Sequence, residues 1–513
     1  MKNSLVKSVG IITIIAIISK VLGFGRDMLM AAYFGASYVT DAYNVASIIP
    51  VLLLTAIGMA IISGMAPIYA EAKSKSMIEA KNVISVLATV FLIISVAVTI
   101  LFFIFTPVIT KIVAPGFNPE EARLTSQLTM IMLPSFCFLV LASLTQGILE
   151  YEKNFAPPAF VAIPQNILII IAVMFLSTKY GIYGIAVATL LGAVLQFFIQ
   201  YPFIRKYNVL GFNFHFIKYQ KVISSSFKLF APIIIASVAY QVNAVVDRMV
   251  SSHLAEGSVS ALNYSNKLMY LPLSIVLLSL VTVLYPGIVD AIVDKGKRLP
   301  GLIFTGINVI TFIGIPITVV MLAESQTLVD FAYKRGAFDT TASIMTSKSF
   351  YFYSFGMVFV AIKEFLNRCF VALRESKVTM IVSIVTVALN VVLSIVLSRF
   401  FDVGGIALAS SIAMFAQAVL LFSYLPKKIR IDTDELKNFF LSFTKLIVTS
   451  IVLYFIVNLV NDSYKELPLL LRFAVTTIIS FVVYGIIAWL LKLKEMSWII
   501  SFIKSKRRSK ANG

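Results

Sequence analysis

Apolar residues come in long runs along most of the chain, and few polar residues interrupt them. The run from Val83 to Val113 is broken only by Thr, Ser, Pro and Lys111. About twenty apolar residues cross a bilayer core as a helix, and lipid favours helices because they satisfy their own backbone. The pattern predicts about fourteen transmembrane helices, at 8–34, 42–70, 83–113, 123–150, 158–178, 181–204, 224–251, 260–289, 301–323, 343–371, 377–399, 404–425, 437–460 and 468–492.

The chain also contains an internal repeat, because short landmarks recur at a nearly constant offset. At an offset of 221, Gly184–Ala188 matches Gly405–Ala409 and Phe117-Asn118 matches Phe338-Asp339, while Gly35 and Pro50 match Gly257 and Pro272 at an offset of 222. A nearly constant offset held across several landmarks indicates duplication rather than chance similarity of apolar sequence.

The repeat predicts two related six-helix lobes, residues 1–206 and 222–426. Six is an even number, so both lobes insert in the same orientation and form parallel repeats. Such lobes are typical of transporters that bind substrate at the repeat interface and alternate between two openings. Residues 437–492 form an accessory helix pair, and residues 493–513 form a basic cytoplasmic tail. The predicted fold class is therefore an all-α polytopic membrane protein.

Composition supports this class and explains the charge. Apolar residues make up 59% of the chain and charged residues 13%, against about 25% charged in soluble domains. The net charge of +19 could indicate nucleic-acid binding, but the cations concentrate in alternate loops, as at Lys427–Arg430. That distribution is typical of cytoplasmic loops. It predicts a protein of the cytoplasmic membrane with both termini inside and no nucleic-acid partner.

Several ionisable residues fall inside predicted spans, where each costs about 2.5–3.5 kcal/mol on insertion scales. Lys20 and Arg26 lie in the first span and Lys267 in the eighth. Facing one another across the lobe interface, they would form an anion site. The alternatives are that Arg26 pairs with Asp27 and that the lysines extend to the membrane surface. In the tenth span, Lys363, Glu364 and Arg368 form either an ion-pair cluster or part of the same cationic cavity.

Three segments resemble signatures of the MurJ (MviN) family of the MOP transporter superfamily. They are Ser19–Asp41 (SKVLGFGRDMLMAAYFGASYVTD), Ala261–Pro272 (ALNYSNKLMYLP) and Lys334–Asp339 (KRGAFD). The resemblance covers the first twelve predicted helices. Members of this family flip lipid II, the undecaprenyl-diphosphate-linked peptidoglycan precursor, so the resemblance implies a transporter rather than an enzyme.

The resemblance also implies roles for individual residues. Arg26 matches an arginine of the family's central cavity, while Lys20 and Lys267 stand where the family usually has arginines. Lysine keeps the positive charge but cannot form the bidentate hydrogen bonds that an arginine makes to a diphosphate. Asp41 matches an acidic residue at the outer end of this region. The chain departs from the family in Val51–Ala60, which carries no charge where an arginine pair and a glutamate are usual.

Some relatives hold a sodium ion in the second lobe, and the matching positions here are Asp247, Asn390, Ser394 and Ser410. Their oxygen atoms suit a hard cation, so Na⁺ or H⁺ is the expected coupling ion, with no other cofactor. The chain has no GxxxxGK[ST] motif, which argues against direct coupling to ATP.

These observations predict a flippase that moves lipid II to the outer leaflet by alternating access. Its expected partners are lipid II, membrane lipids and the cell-wall synthesis machinery. The neutral second span keeps open a flippase for another undecaprenyl-linked glycan, of the capsule or teichoic-acid type. A drug/cation antiporter would need an acidic site in the first lobe, whose buried charges are mainly basic. A membrane glycosyltransferase would need acidic clusters on a large loop, and none is visible in the sequence. A purely structural scaffold would leave the buried charges unexplained.

Overall fold

The computed structural model describes residues 2–294, 298–463 and 467–496, and all the regular structure in these residues is helical. Residues 497–513, which make up most of the predicted basic tail, lie outside the described residues, as does Met1. The helices are α1 (Lys2–Phe34), α2 (Tyr38–Lys75), α3 (Met77–Ile104), α4 (Thr106–Val113), α5 (Pro119–Met132), α6 (Ser135–Tyr151), α7 (Ala156–Phe160), α8 (Ala162–Phe175), α9 (Ser177–Arg205), α10 (Gln220–Ser251), α11 (Ser258–Pro272), α12 (Leu278–Val293), α13 (Leu299–Ala323), α14 (Ser325–Tyr333), α15 (Thr340–Ala372), α16 (Ser376–Phe401), α17 (Val403–Tyr424), α18 (Thr433–Ser463) and α19 (Leu469–Leu490).

The chain forms two compact units. Unit 1 consists of Met1–Ser260 and Arg335–Ala342, and unit 2 of Ala261–Lys334 and Ser343–Gly513. Helix α10 therefore groups with unit 1. The predicted lobes, 1–206 and 222–426, follow the sequence repeat rather than this grouping and stay a prediction.

Ten helical stretches in the described residues are long and apolar enough to cross a membrane. The number becomes eleven when α5 and α6, which meet at a 43° bend, are taken as one broken span. The protein is therefore a multi-pass α-helical membrane protein.

Prolines break several spans that the apolar pattern predicted as continuous. The predicted span 83–113 is two helices, α3 and α4, with Pro107 in the first turn of α4. The predicted span 123–150 is also two helices, separated by Leu133 and Pro134. Proline has no N–H to donate and its ring clashes with the preceding turn, which favours a break beside Pro107 and Pro134. Helix α2 nevertheless continues through Pro50 and Pro67, so a proline alone does not decide where a helix ends.

The two halves of the repeat use the same helix caps. The side chain of Asn118 accepts hydrogen bonds from the backbone N–H groups of Glu120 and Glu121, at 3.0 and 2.9 Å, and so caps α5. Asp339, the counterpart of Asn118 in the second half, accepts one from the N–H of Ala342 at 2.8 Å and caps α15. Both residues satisfy N–H groups that a helix start leaves without partners.

Backbone conformation repeats at the same offset. Positive φ angles occur at Lys153 (60°) and again at Arg374 (61°), and at Gly181 (54°) and again at Asp402 (51°). The second pair also shares its ψ angle, −142° at Gly181 and −132° at Asp402. Matching turns at matching positions are what duplication of one helical unit produces.

Gly181→Ala is expected to lower the free energy of unfolding by about 1–3 kcal/mol, because an L-residue rarely adopts this backbone conformation. An added Cβ would meet no atom within 4 Å, so the loss is one of backbone strain alone. Thermal unfolding of the purified protein measures it. Gly485→Ala is the matched control: its Cβ also meets open space, but it lies within α19, where alanine is the better helix former. Equal destabilisation by both variants would contradict the strain argument.

In unit 2 the last two helices pack against α13 and are fixed there by polar contacts. The Tyr484 hydroxyl donates to the backbone oxygen of Phe312 at 2.7 Å. Glu324, which follows α13 and is 1% exposed, accepts a hydrogen bond from Thr476 Oγ1 at 2.9 Å and lies 3.5 Å from Arg472 Nε. A buried carboxylate therefore anchors α19, and nothing in the sequence pattern had singled it out.

Candidate functional site

Helix α1 carries the first group of predicted site residues and runs unbroken through them. Asn166 of α8 approaches it closely, since its Nδ2 lies 3.4 Å from the backbone oxygen of Ser19 and a Cβ at Gly23 would meet the Asn166 amide at 3.6 Å. Lys20 is exposed. Helix α8 therefore packs against this segment while the Lys20 side chain stays exposed.

Arg26 is half-buried and pairs with its neighbour in sequence. Its Nη2 and Nε lie 2.9 and 3.2 Å from Oδ1 of Asp27, and the Arg26 side chain is 24% exposed. Asp27 is buried. The structure thus contains the Arg26–Asp27 ion pair that the sequence offered as the alternative, and the Arg26 side chain remains partly exposed.

The middle of α2 is neutral in the structure as in the sequence. The helix carries no charged residue between Asp41 and Glu71, and within this stretch Val51 and Met59 are exposed apolar side chains. The stretch of α2 between Asp41 and Glu71 therefore supplies no cation to supplement Arg26.

Asp41 lies at one end of unit 1, where it links two loops. Its carboxylate accepts hydrogen bonds from the backbone N–H groups of Gly257 (2.8 Å) and Ser260 (2.7 Å), at the start of α11, and the side chain is 3% exposed. Glu256 reciprocates by accepting from the N–H of Tyr38, the first residue of α2, at 2.9 Å. Each helix start is therefore capped by a carboxylate from the other, an arrangement that the helix dipole favours.

Glycines allow the backbones at this end to approach one another. Gly257 has a φ of +84°, and a Cβ there would collide with the backbone oxygen of Ala36. The KRGAFD segment also takes part, because Ala337 N–H donates to the backbone oxygen of Ala32 at 2.8 Å. We call the contacts of Asp41, Glu256 and these glycine-bearing loops the loop clasp. The family resemblance marks Asp41 as a candidate residue. No sequence motif marks Glu256, because its contact with Tyr38 joins residues 218 positions apart.

Unit 2 contains the remaining predicted cations. Lys267 is half-buried on α11, upstream of Pro272, after which Leu273–Leu277 forms one π-helical turn. Lys363 is buried and pairs with Glu364 at 3.0 Å. Arg368 donates to Thr282 Oγ1 at 3.2 Å. Lys363 and Glu364 therefore form the predicted ion pair, while Arg368 bonds to α12.

The predicted sodium ligands fall in both units. In unit 2, Asn390 Nδ2 donates to Ser410 Oγ at 3.3 Å, and the buried atoms Asn390 Oδ1 and Ser394 Oγ have no hydrogen-bond partner. In unit 1, Asp247 Oδ1 is likewise buried without a partner. Such oxygens fit the donor set of a hard cation. Within the described ranges, no group of three His, Cys, Asp or Glu residues could hold a metal ion.

Comparison with known proteins assigns the chain to a family. The family model described as lipid II flippase MurJ matches residues 30–477. A probable lipid II flippase MurJ from Buchnera aphidicola subsp. Schizaphis graminum is 32% identical, over 88% of each chain. The lipid II flippase MurJ of Thermosipho africanus is 30% identical, over 90% of this chain and 93% of its own.

Comparison with solved structures supports the same family. A lipid II flippase MurJ in an inward closed conformation superposes with a TM-score of 0.81 at 29% identity, covering 94% of this chain and 98% of its own. An inward-facing multidrug resistance MATE transporter of the MOP superfamily has a TM-score of 0.66 at 14% identity, covering 80% of this chain and 97% of its own, which is a likeness of fold alone. The chain belongs to the lipid II flippase MurJ family.

Proposed function

We propose that this protein moves lipid II from the cytoplasmic to the outer leaflet by alternating access. The match to the flippase family over residues 30–477 carries this proposal. Taking a charged, sugar-bearing headgroup through hydrocarbon without polar partners costs many kcal/mol. A cavity lined with cations replaces part of the water that the headgroup loses.

Arg26, Lys20 and Lys267 supply positive charge for the diphosphate in this proposal, and Lys363 adds to it. The Arg26 side chain is partly exposed beside Asp27, and a guanidinium binds phosphate oxygens in bidentate fashion. The inside-negative membrane potential favours outward movement of the anion, by about 2.3 kcal/mol per charge per 100 mV for a full crossing. A cation, Na⁺ or H⁺, then resets the carrier by binding at Asp247, Asn390, Ser394 and Ser410.

The full architecture in this proposal is fourteen spans, arranged as two parallel six-helix lobes and an accessory pair. Three long helices, α1, α10 and α15, complete that number beyond the eleven counted from length and hydropathy. The recurrence of caps and positive-φ residues at the repeat offset supports the duplication. The concentration of basic residues in alternate loops supports cytoplasmic termini in this proposal. The loop clasp then lies at the outer end of unit 1.

The test is complementation of bacteria depleted of their own lipid II flippase, scoring growth and outer-leaflet lipid II together. Rescue by this protein supports lipid II as the substrate. Failure by protein that is inserted and folded favours the second candidate, a flippase for another undecaprenyl-linked glycan. The neutral stretch of α2 between Asp41 and Glu71 is the observation that favours this candidate, because it removes a cation from the expected headgroup site.

Arg26→Ala is expected to reduce flipping by about 10- to 100-fold, the worth of one charge-assisted hydrogen-bonding group. The flipping rate of Arg26→Lys should lie between those of the natural protein and Arg26→Ala. Lysine keeps the positive charge but loses the bidentate hydrogen bonding of the guanidinium. The double variant Arg26→Gln, Asp27→Asn removes the whole ion pair, so it separates structural loss from loss of substrate binding. Outer-leaflet lipid II per inserted protein is the measurement.

Arg123→Gln, at an exposed position on α5, controls for the loss of one positive charge. Normal flipping by the Arg26–Asp27 double variant would mean that the pair is structural only, and it would remove Arg26 from the proposed binding site.

A further inference from the structure

Unit 2 contains a polar cavity of about 630 Å³ that the transport proposal does not use. It lies where the N-terminal turns of α13 and α18 meet the segment that follows α19. Its lining includes Phe304, Asn308, Glu435, Phe439, Lys494 and Glu495. A cavity of this volume is in the range of small-molecule sites.

Two buried oxygens in the lining have no donor. Glu495 is 5% exposed and its Oε2 accepts no hydrogen bond, and Asn308 is 6% exposed and its Oδ1 accepts none. Leaving a buried acceptor without a partner costs about 1–3 kcal/mol, and more when the group is charged. Both atoms belong to residues that line one cavity, so its occupant is expected to donate hydrogen bonds and to carry positive charge.

The cavity lies at the depth of lipid headgroups. Gly301 and Asn308 both line it, and seven residues of helix measure about 10 Å. Candidate membrane spans begin at Leu299 and Thr433, and another ends at Leu490. The cavity therefore extends from the level of these helix ends to about 10 Å along α13.

The remaining lining groups match a ligand with both signs of charge. Glu435, in the first turn of α18, adds a second carboxylate. The rings of Phe304 and Phe439 stack with centroids 4.8 Å apart and give the cavity an apolar wall beside its carboxylates. Lys494 and the positive N-terminal ends of α13 and α18 favour a phosphate.

We propose that this cavity binds the headgroup of a phosphatidylethanolamine-type lipid. The ammonium group donates to Glu495 and Asn308, and the phosphate lies near Lys494. The lipid would join α13 to the α18–α19 pair and so stabilise the accessory helices. A bare metal ion fits less well, because the cavity is large and within the described residues no group of three His, Cys, Asp or Glu side chains gathers anywhere.

The experiment measures lipids bound to the purified full-length protein by native mass spectrometry, at matched concentrations of three lipids with identical acyl chains. Phosphatidylethanolamine is expected to bind about tenfold more tightly than phosphatidylglycerol, which has no amine, a difference of about 1.4 kcal/mol. Phosphatidylcholine should also bind weakly, because its quaternary ammonium has no N–H for the two acceptors. Equal binding of all three lipids would overturn the proposal without using any variant.

The variant Glu435→Gln, Glu495→Gln should abolish the preference for phosphatidylethanolamine. Its matched control is Asp432→Asn, Asp434→Asn, which removes two exposed carboxylates beside the cavity and should keep the preference. Displacement of the lipid by millimolar free ethanolamine would reassign the cavity to a soluble amine and overturn the lipid assignment. Since lipid retention is measured without transport, its outcome is independent of the proposed flipping.

Discussion

Asp41→Ala is expected to lower the free energy of opening the loop clasp by about 3–6 kcal/mol, because it removes two charge-assisted hydrogen bonds of about 1.5–3 kcal/mol each. The carboxylate is buried and accepts from Gly257 and Ser260, so both N–H groups lose their partner. Hydrogen exchange of the segment 257–262 measures the opening directly. We expect exchange there to accelerate by about a hundredfold or more.

The control is Glu71→Gln, an exposed carboxylate at the far end of the same helix, α2, which should leave that exchange unchanged. Asp41→Asn should accelerate hydrogen exchange of the segment 257–262 less than Asp41→Ala does. Its amide keeps one acceptor oxygen, whereas the other oxygen is replaced by an NH₂ donor. Unchanged exchange in Asp41→Ala would show that the close glycine packing, rather than the carboxylate, holds the loops. Rescue of flippase-depleted bacteria should also fall in this variant if unit 1 needs the clasp to fold correctly.

Arg472→Ala is expected to destabilise the protein by about 3–5 kcal/mol, since it removes one partner of a buried ion pair. The Glu324 side chain is 0% exposed, whereas that of Arg472 is 23% exposed. Removing the arginine leaves a carboxylate with no route to water, although the Thr476 hydroxyl still donates to it. Equilibrium unfolding in mixed micelles, or the shift in Tm, measures the loss.

The reverse variant, Glu324→Ala, should lower the stability of the protein less than Arg472→Ala does. Arg472 lies in the first turn of α19, so its long side chain can extend to water when its partner is removed. The double variant Glu324→Gln, Arg472→Met should be close to the natural protein, since a buried pair replaced by neutral groups of similar volume is often neutral in stability. A larger loss for Glu324→Ala than for Arg472→Ala would contradict this account of the anchor.

The candidate site was partly predictable because ionisable residues inside apolar runs are few and costly. That reasoning selected Arg26, Lys20, Lys267 and Lys363, and the structure places Arg26 beside Asp27 and Lys363 beside Glu364. Both pairs join adjacent residues in sequence, so they were visible without a fold. Their roles in binding a diphosphate stay a prediction, and the Arg26 variants test it.

Span boundaries were less predictable. Hydropathy joins α3 to α4 and α5 to α6, because Pro107 and Pro134 are single residues within apolar stretches. Helix continuity depends on the backbone N–H that proline lacks, a property that an average over apolar character does not weigh. The repeat stays a prediction, although its landmarks, turn and cap residues such as Asn118 and Asp339, adopt matching conformations that depend mainly on local sequence.

The amino-acid sequence by itself determined that this is a helical membrane protein with rare cations in its first helix, because hydrophobic length and charge are local properties, and its turn and cap residues predicted an internal duplication. Only the tertiary structure decided that Asp41 would cap a helix start 216 residues away, that Glu256 would return the same contact, and that Glu324 would meet Arg472. Such bonds form only where packed helices bring distant backbone and side chains within about 3 Å, and distance along the chain carries no information about that meeting.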